Sequence, residues 1–277
     1  MQWIIVSSAA VILAALLLYG YASNFILKKE YYPGTGIHTG ESRRVKVVML
    51  ADLHGAKFGK ANHRLIEKIR EECPDMICMA GDMTVKNGKG TSSCLALCRE
   101  LLTLCPVFYA MGNHEIRMES YEKYLSDLRR AGVTVLDNES TQLFIRGRKI
   151  AVFGLNIEED YYHKFWEKKE LTAETIRESL GMPCQDATSI LLAHNPEYFE
   201  TYCDWGADVI FSGHVHGGIA RLPVIGGVIE PSLRLFPQYD AGRFVRGSSF
   251  MVLSRGLGTH HIRFRFFNLP EISVVEM

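Results

Sequence analysis

The chain has 277 residues, 47% of them hydrophobic and 22% charged, so it is long enough for one large domain with a well-buried core. Lys plus Arg and Asp plus Glu both number 31, and this zero net charge argues against nucleic acid as a partner recognised through overall charge. No linker rich in Pro, Gly or Ser and no internal repeat divides the sequence, which favours a single domain.

The chain begins with an uncharged apolar segment. Residues 3–22, WIIVSSAAVILAALLLYGYA, would form a helix of roughly 30 Å, about the thickness of one hydrocarbon core. A buried core helix and a cleaved signal peptide are alternatives, but the basic residues that a signal peptide needs are missing. We therefore expect residues 1–27 to be a retained single-pass anchor in the cell membrane. Trp3, Tyr19 and Tyr21 would lie at the two interfaces.

Two features bear on the side of that membrane. Lys28 and Lys29 follow the apolar segment and nothing basic precedes it, so the positive-inside rule places the rest of the chain in the cytoplasm. The cysteines agree with a reducing compartment, because their number is odd and no CxxC pair occurs. The seven are Cys73, Cys78, Cys94, Cys98, Cys105, Cys184 and Cys203. Most lie in apolar runs, and we expect reduced core residues rather than a thiolate metal site.

Short apolar strands alternate with helices after a predicted tether over residues 28–44. The predicted strands cover residues 45–50, 75–80, 106–110, 133–136, 149–155, 189–194, 208–213, 249–254, 262–267 and 272–277. The predicted helices cover residues 63–73, 93–104, 119–132 and 171–181, and Gly132 and Gly181 are placed as C-terminal stops. This order predicts an α/β domain over residues 45–277, with two packed mixed sheets flanked by helices.

Five of the predicted strands are followed directly by polar side chains. These are Asp52 and His54, then Asp82, then Asn113 and His114, then His194, and finally His214 and His216. Sites in open α/β sheets form at the carboxyl ends of strands, so these side chains are expected to converge. Carboxylate, imidazole and amide oxygen without thiolate suit Mn, Fe or Zn ions.

The spacing within two of these motifs adds to the argument. Side chains of an extended segment alternate in direction, so Asp52 and His54 can face the same way, and so can His214 and His216. The neighbouring glycines allow sharp turns and leave room for a substrate. Each short motif alone is also compatible with ordinary turn chemistry. The ordered set of all five predicts a metal centre.

The ordered motifs "DLH", "GD", "GNHE", "H" and "GHVH" resemble the signature of the calcineurin-like metallophosphoesterase superfamily. The resemblance covers residues 45–277 and shows no departure at a ligand position. Within the superfamily the chain is similar to bacterial membrane-associated or exported phosphoesterases, through "LLAHNPEYFE", "GHVHGG", "VLSRGLGT" and "LPEISVVEM". The charged segment 156–188 is longer than that resemblance predicts and leaves the substrate open.

The resemblance implies a role for each candidate residue. One divalent ion would be held by Asp52, His54 and His216. The other would be held by Asn113, His194 and His214, and Asp82 would bridge the two ions. A hydroxide between the ions would attack phosphorus in line, so no covalent phospho-enzyme is expected. His114 would stabilise the developing charge or protonate the leaving group.

These observations predict a membrane-anchored dinuclear phosphoesterase that acts on a phosphomonoester or phosphodiester. A lipid or lipid-linked phosphate is a further expectation that rests only on the position near the bilayer. A metal-dependent nuclease and a non-catalytic scaffold on the same fold are the alternative functions.

Several other polar residues have two readings. Glu115 is either a carboxylate that orients a neighbouring ligand or a surface residue. Arg255 either contacts a phosphate or forms a salt bridge, and His260 and His261 either reach the mouth of the site or lie on the surface. The remaining histidines are interpreted as surface residues, namely His38, His63 and His163.

Overall fold

The computed structural model describes residues 2–34, 44–162, 169–218, 220–222, 224–229, 235–259 and 264–277. Within these residues the helices are α1 (Gln2–Ala22), α2 (His63–Arg70), α3 (Thr91–Leu101), α4 (Asn113–Ile116), α5 (Tyr121–Arg130), α6 (Ala173–Leu180) and α7 (Phe199–Trp205). The strands are β1 (Lys28–Pro33), β2 (Lys46–Leu50), β3 (Met76–Ala80), β4 (Val107–Ala110), β5 (Thr134–Val135), β6 (Glu139–Ile145), β7 (Arg148–Leu155), β8 (Thr188–Ala193), β9 (Val209–Ser212), β10 (Ala220–Leu222), β11 (Gly226–Ile229), β12 (Gly242–Arg246), β13 (Ser249–Leu253) and β14 (Glu271–Glu276).

The strands form two six-stranded sheets and one short hairpin of β10 and β11. The first sheet has the order β1-β14-β2-β3-β4-β5, in which β2 to β5 run parallel and β14 is antiparallel to β2. The second sheet has the order β12-β13-β9-β8-β7-β6, in which β13, β9, β8 and β7 run parallel. Both sheets are mixed: β14 pairs antiparallel with β2 in the first sheet, and β12 and β6 pair antiparallel with their neighbours in the second.

The two sheets pack face to face, and helices cover their outer faces. Side chains such as Met49, Phe108, Ile190 and Phe211 form the core between the sheets. A second core lies under α2, α3 and α5, and a third lies under α6 and α7. Strands buried on both faces read as continuous apolar runs, which is why β3 has the sequence MICMA.

The helices and their ends follow the sequence pattern closely. In α2, Leu65, Ile66 and Ile69 are buried on one face, as the helical period requires. Gly132 (φ +99°) follows α5 and Gly181 (φ +74°) follows α6, and glycine adopts these positive φ angles more readily than other residues. The prediction of two packed mixed sheets flanked by helices is confirmed.

Some predicted elements differ from those observed. The predicted strand 262–267 lies partly outside the described residues, and residues 264–267 form no strand; the carbonyl of Phe266 instead accepts a hydrogen bond from the Arg221 N–H at 3.0 Å. Strands β6 and β12 were not predicted. They lie at the edges of the second sheet and are largely exposed, so their sequences lack a buried apolar run.

The prediction of a membrane-spanning N-terminal helix, and of a single-pass membrane location with it, is wrong. Across the part of the chain that the structure describes, no helix combines the length and the apolar character that crossing a bilayer requires. The apolar residues do form α1, but its C-terminal end packs on the domain. The Tyr19 ring lies 5.7 Å from the rings of Phe266 and Phe267, and the Gly20 carbonyl accepts a hydrogen bond from the Arg265 N–H at 3.0 Å. Hydropathy alone could not reveal these tertiary contacts.

The segment predicted as a tether contains regular structure. Residues Lys28–Pro33 form β1, which pairs in parallel with β14 at the edge of the first sheet. Residues 35–43 lie outside the described residues. Strand β1 thus lies within residues 28–44 and forms an edge of the first sheet.

Candidate metal centre

The eight predicted site residues lie at strand ends on one side of the two sheets. Asp52 and His54 follow β2, Asp82 follows β3, and Asn113 and His114 begin α4 just after β4. From the second sheet, His194 follows β8, and His214 and His216 follow β9. Because β2, β3 and β4 are parallel, and β8 and β9 are parallel, both groups emerge at carboxyl ends and meet where the sheets face each other.

The backbone at this junction is unusual. Five candidate ligands have positive φ angles, which non-glycine residues rarely adopt: Asp52 (52°), His54 (46°), Asp82 (54°), His214 (77°) and His216 (53°). Such conformations persist only where the surrounding structure holds them, and they cluster at functional sites. A glycine is needed at position 112, since an added Cβ there would lie 2.2 Å from Asp82 Oδ1.

The first cluster consists of Asp52, His54 and His216. One possible ligand atom from each lies within 4.8 Å of the others. His54 Nε2 is 3.1 Å from His216 Nε2, and His216 Nε2 is 3.6 Å from Asp52 Oδ1. The His54 and His216 rings stack with centroids 4.9 Å apart.

The second cluster consists of Asp82, His194 and His214, again with one possible ligand atom from each within 4.8 Å of the others. His194 Nε2 lies 3.2 Å from Asp82 Oδ2, and the same carboxylate oxygen lies 3.8 Å from His54 Nε2 of the first cluster. Asn113 joins this group, because its Oδ1 lies 2.9 Å from His214 Nδ1. Asp82 is therefore in reach of both clusters.

Burial and charge act in opposite directions in the second cluster. Burial would raise the pKa of Asp82, but the neighbouring His194, His54 and His114 outweigh it and hold that pKa well below its ordinary value. Burial would lower the pKa of His194, but the Asp82 and Asp52 carboxylates raise it to about 10. Burial and the adjacent His194 lower the pKa of His214 to about 3. The Asp82 and Asp52 carboxylates therefore favour positive charge on His194, the histidine beside them.

The donor atoms fit a bound divalent cation. The Ala80 carbonyl lies 2.7 Å from His194 Nδ1 and can only accept, so Nδ1 carries a proton and Nε2 is the atom that faces Asp82. His194 Nε2 is buried and faces the Asp82 carboxylate, whose Oδ2 lies 3.2 Å away. The carboxylates of Asp82 and Asp52 favour a proton on His194, and a bound cation would supply that positive charge in place of the proton. Imidazole and carboxylate donors of this kind suit Mn, Fe or Zn.

A backbone carbonyl also orients the ring of His216. Its Nδ1 lies 3.1 Å from the Gly258 carbonyl, which can only accept, so its Nε2 is directed toward Asp52 and His54. The backbone N–H of His214 donates to both oxygens of Asp52, at 3.1 and 3.0 Å. Hydrogen bonds of this kind fix the orientation of ligating side chains.

Glu115 lies under the second cluster and is not a surface residue. Its side chain is completely buried, and Oε2 accepts hydrogen bonds from the N–H groups of Asp82 (2.8 Å) and Gly112 (3.0 Å). Its Oε1 accepts from the Thr84 N–H at 3.0 Å and from the Tyr109 hydroxyl at 2.9 Å. Burial raises the pKa of Glu115 to about 7. The reading in which Glu115 orients the neighbouring residues is the one the contacts support.

His114 faces the centre beside both clusters. A possible ligand atom of His114 lies within 4.8 Å of those of His54 and Asp82, and the His54 and His114 ring centroids are 4.7 Å apart. The backbone N–H of His114 donates to Asp82 Oδ1 at 2.8 Å, and its Nδ1 accepts from the Lys86 N–H at 3.2 Å. Burial lowers the pKa of His114.

Arg255 and His63 belong to neither cluster. Arg255 forms ion pairs with Glu30 (3.4 Å) and Glu271 (3.5 Å), in agreement with the salt-bridge reading. His63 is exposed at the start of α2. The predictions for His38, His163, His260 and His261 fall outside the described residues. The seven cysteines are free, and Cys78, Cys94 and Cys98 are buried.

Several residues near the centre were not predicted. Tyr162 places its ring 5.1 Å from that of His214, and Arg265 and Asn268 bind the loops around His216. These residues belong to no short motif, and their partners are distant in sequence or are backbone atoms. Their positions beside the centre therefore could not be predicted from the sequence.

Comparison with known proteins agrees with this architecture. The family described as Calcineurin-like phosphoesterase matches residues 45–218. Phosphodiesterase YaeI of Escherichia coli (strain K12) is 27% identical over 239 residues, which are 84% of this chain and 82% of that protein. The uncharacterized metallophosphoesterase YkuE of Bacillus subtilis (strain 168) is 28% identical over 234 residues, covering 83% of this chain and 77% of that protein.

A solved structure shows a similar fold. Haemophilus influenzae NAD nucleotidase (NadN) superposes with a TM-score of 0.50 at 16% identity, over 79% of this chain and 46% of that one. Two mixed sheets that bring carboxylates and histidines together define a metal-dependent phosphoric ester hydrolase. The chain belongs to the calcineurin-like phosphoesterase family.

Proposed function

We propose that this enzyme hydrolyses a phosphodiester with two divalent ions held at the junction of its two sheets. The observation that carries the proposal is the pair of clusters. In each cluster, one possible ligand atom of every residue lies within 4.8 Å of the others, and the members are Asp52, His54 and His216, and Asp82, His194 and His214. Asn113 completes the second cluster through its amide oxygen beside His214.

Asp82 is proposed as the ligand that the two ions share. One of its oxygens lies 3.2 Å from His194 Nε2 and 3.8 Å from His54 Nε2, so a single carboxylate faces one histidine of each cluster. Hydrogen bonds from the N–H of His114 to Oδ1 and from the N–H of Asp82 to Glu115 hold this side chain and its backbone in place. Bound divalent ions would act as Lewis acids on the phosphoryl group and make water a stronger nucleophile.

His114 is proposed to interact with the reacting phosphoryl group or the leaving oxygen. Its Nδ1 accepts a hydrogen bond from Lys86, so the neutral ring carries its proton on Nε2. An N–H at that position can stabilise developing negative charge or pass its proton to the departing alkoxide.

Support for a diester comes from the relative YaeI, which is named a phosphodiesterase. The expectation of a lipid-linked substrate rested on the membrane anchor alone, and it loses that basis with the correction of the anchor. Tyr162, whose ring lies 5.1 Å from that of His214, is proposed to contact the bound ester.

The experiment uses the full chain, stripped of metal with a chelator and then supplied with Mn²⁺, Zn²⁺, Fe²⁺ or Mg²⁺. Bound metal is counted by mass spectrometry, and hydrolysis is followed with bis-p-nitrophenyl phosphate, p-nitrophenyl phosphate and an oligonucleotide. We expect about two ions per chain and a higher kcat/KM for the diester. Asp82→Asn should lose both metal and turnover.

The matched control is His63→Asn, which alters an exposed histidine outside the centre. It should keep the metal content and activity of the parent enzyme. Full turnover in Asp82→Asn, or a single bound ion in an active parent enzyme, would contradict the proposed centre. A clear preference for the monoester would contradict the proposed substrate class while leaving the centre intact.

A further inference from the structure

One arginine stands out among the buried residues that the proposed mechanism does not use. Arg265 is 1% exposed, and its guanidinium donates hydrogen bonds to four backbone carbonyls. Nη1 binds the carbonyls of Arg255 (3.0 Å) and Asn268 (3.2 Å), and Nη2 binds those of Gly256 (3.1 Å) and Gly258. Arginine is suited to such a position, because its planar fork presents several fixed donors.

The loop that Arg265 holds lies directly against the first cluster. The Leu257 N–H donates to the Ala51 carbonyl at 3.1 Å, and the Gly258 N–H donates to the Asp52 carbonyl at 2.6 Å. The Gly258 carbonyl, which Arg265 contacts, is also the acceptor for His216 Nδ1. Arg265 and His216 therefore share one backbone oxygen.

Asn268 holds the other side of the same histidine. Its side-chain amide donates to the carbonyls of His216 (2.7 Å) and Gly218 (2.5 Å), and it is 1% exposed. The space is tight, since a Cβ at Gly217 would come within 2.7 Å of Asn268 Oδ1. His216 is thus fixed through its ring by Gly258 and through its backbone by Asn268.

We infer that Arg265 and Asn268 are positioning residues that set the orientation of His216, and with it the affinity of the Asp52–His54–His216 half of the centre for its ion. The inference rests on the proposed two-metal function. Residues that orient a metal ligand typically change affinity about 10–100-fold when they are replaced. The second cluster contains neither Gly258 nor His216 and is expected to keep its affinity.

The test is a calorimetric titration of the metal-free full chain with Mn²⁺. We expect the parent enzyme to bind two equivalents of Mn²⁺. Arg265→Lys keeps the charge but loses the fork, and we expect it to weaken one equivalent about 10–100-fold and leave the other unchanged. Asn268→Ser should weaken the same equivalent, and it serves if Arg265→Lys fails to fold. Arg148→Lys, at a buried arginine beside Thr188, is the matched control and should change neither equivalent.

A double-mutant cycle separates positioning from general loss of structure. If Arg265 acts through His216, Arg265→Lys adds no further loss of affinity in a His216→Ala background, but adds its full effect in a His214→Ala background. Equal weakening of both equivalents, or additive effects with His216→Ala, would overturn the inference. A parent enzyme that binds fewer than two ions would instead count against the proposed function.

Discussion

Glu115 holds the backbone of Asp82: its Oε2 accepts a hydrogen bond from the Asp82 N–H at 2.8 Å, while the side chain of Asp82 faces both clusters. The two residues belong to different motifs: Asp82 follows β3, and Glu115 lies in α4, which follows β4. Glu115 also accepts from Gly112, Thr84 and Tyr109. A single buried carboxylate thus fixes both turns that carry Asp82 and His114.

Glu115→Gln should destabilise the enzyme. Glutamine has only one acceptor oxygen, and its NH₂ group would face backbone N–H groups that it cannot bind. Each buried group left without a partner costs about 1–3 kcal/mol, so we expect a loss of that order in the free energy of unfolding. Urea denaturation measures it. Glu119→Gln, at an exposed residue in the same region, should change little, and an unchanged midpoint for Glu115→Gln would contradict this account.

His114→Gln should separate catalysis from metal binding. The proposed centre has seven ligands and His114 is not one of them, so metal content should stay at the parent value. Loss of the Nε2 proton donor should lower kcat about 10²–10⁴-fold, the range of general acid–base contributions. Steady-state kinetics with bis-p-nitrophenyl phosphate and a metal count on the same sample test both parts. Loss of metal together with activity would show instead that His114 is a ligand.

Removal of metal should lower thermal stability. Asp52 and Asp82 are both buried in the centre, and a bound ion stabilises the folded state that holds them together. Free metal at 100 times its Kd contributes about 2.7 kcal/mol, so Tm should rise when Mn²⁺ replaces chelator. The increase should be smaller in His216→Asn and unchanged in His63→Asn. Equal Tm values with and without Mn²⁺ would count against tight binding.

Asp75 should make stability depend on pH in the acid range. Burial would raise the pKa of Asp75, but hydrogen bonds from the Arg146 side chain and the Lys46 N–H outweigh it and lower that pKa. A carboxyl whose pKa is lower in the folded state stabilises the protein above its unfolded pKa of roughly 3.9, and this contribution is lost as the pH falls through the folded pKa.

Asp75→Asn should therefore be less stable than the parent chain at pH 7, and the difference should shrink as the pH falls below roughly 4. Urea denaturation of the metal-free proteins across this range measures the difference. Glu178→Gln, at an exposed carboxylate on α6, provides a control whose curve should run parallel to that of the parent. A difference that stays constant or grows on acidification would contradict the assignment.

Much of this arrangement was predictable, because its signals are local. Buried strands read as apolar runs, and the metal-capable residues that end them stand next to those runs in the sequence, as Asp52 does after β2 and His194 after β8. Parallel strands bring their carboxyl ends to one edge, so convergence followed from the strand order.

The remaining features depend on contacts that no local pattern encodes. Arg265 binds carbonyl groups, which every residue possesses, and Glu115 is buried only because β3 and β4 lie side by side. Edge strand β6 has mostly exposed side chains and little apolar pattern. The apolar composition of α1 predicted a helix surrounded by lipid, but Tyr19 near its C-terminal end contacts Phe266 and Phe267 of the same chain.

The position of β14 makes the assembly of the first sheet depend on a segment that is distant in sequence from its neighbour β2. This strand comes from the last described part of the chain, yet it lies between β1 and β2 and pairs with the strand that leads to Asp52. A ribosome-bound chain that ends before residue 271 leaves the edge of β2 open. Strand β2 therefore gains its observed neighbour on that side only after residues 271–276 have been synthesised.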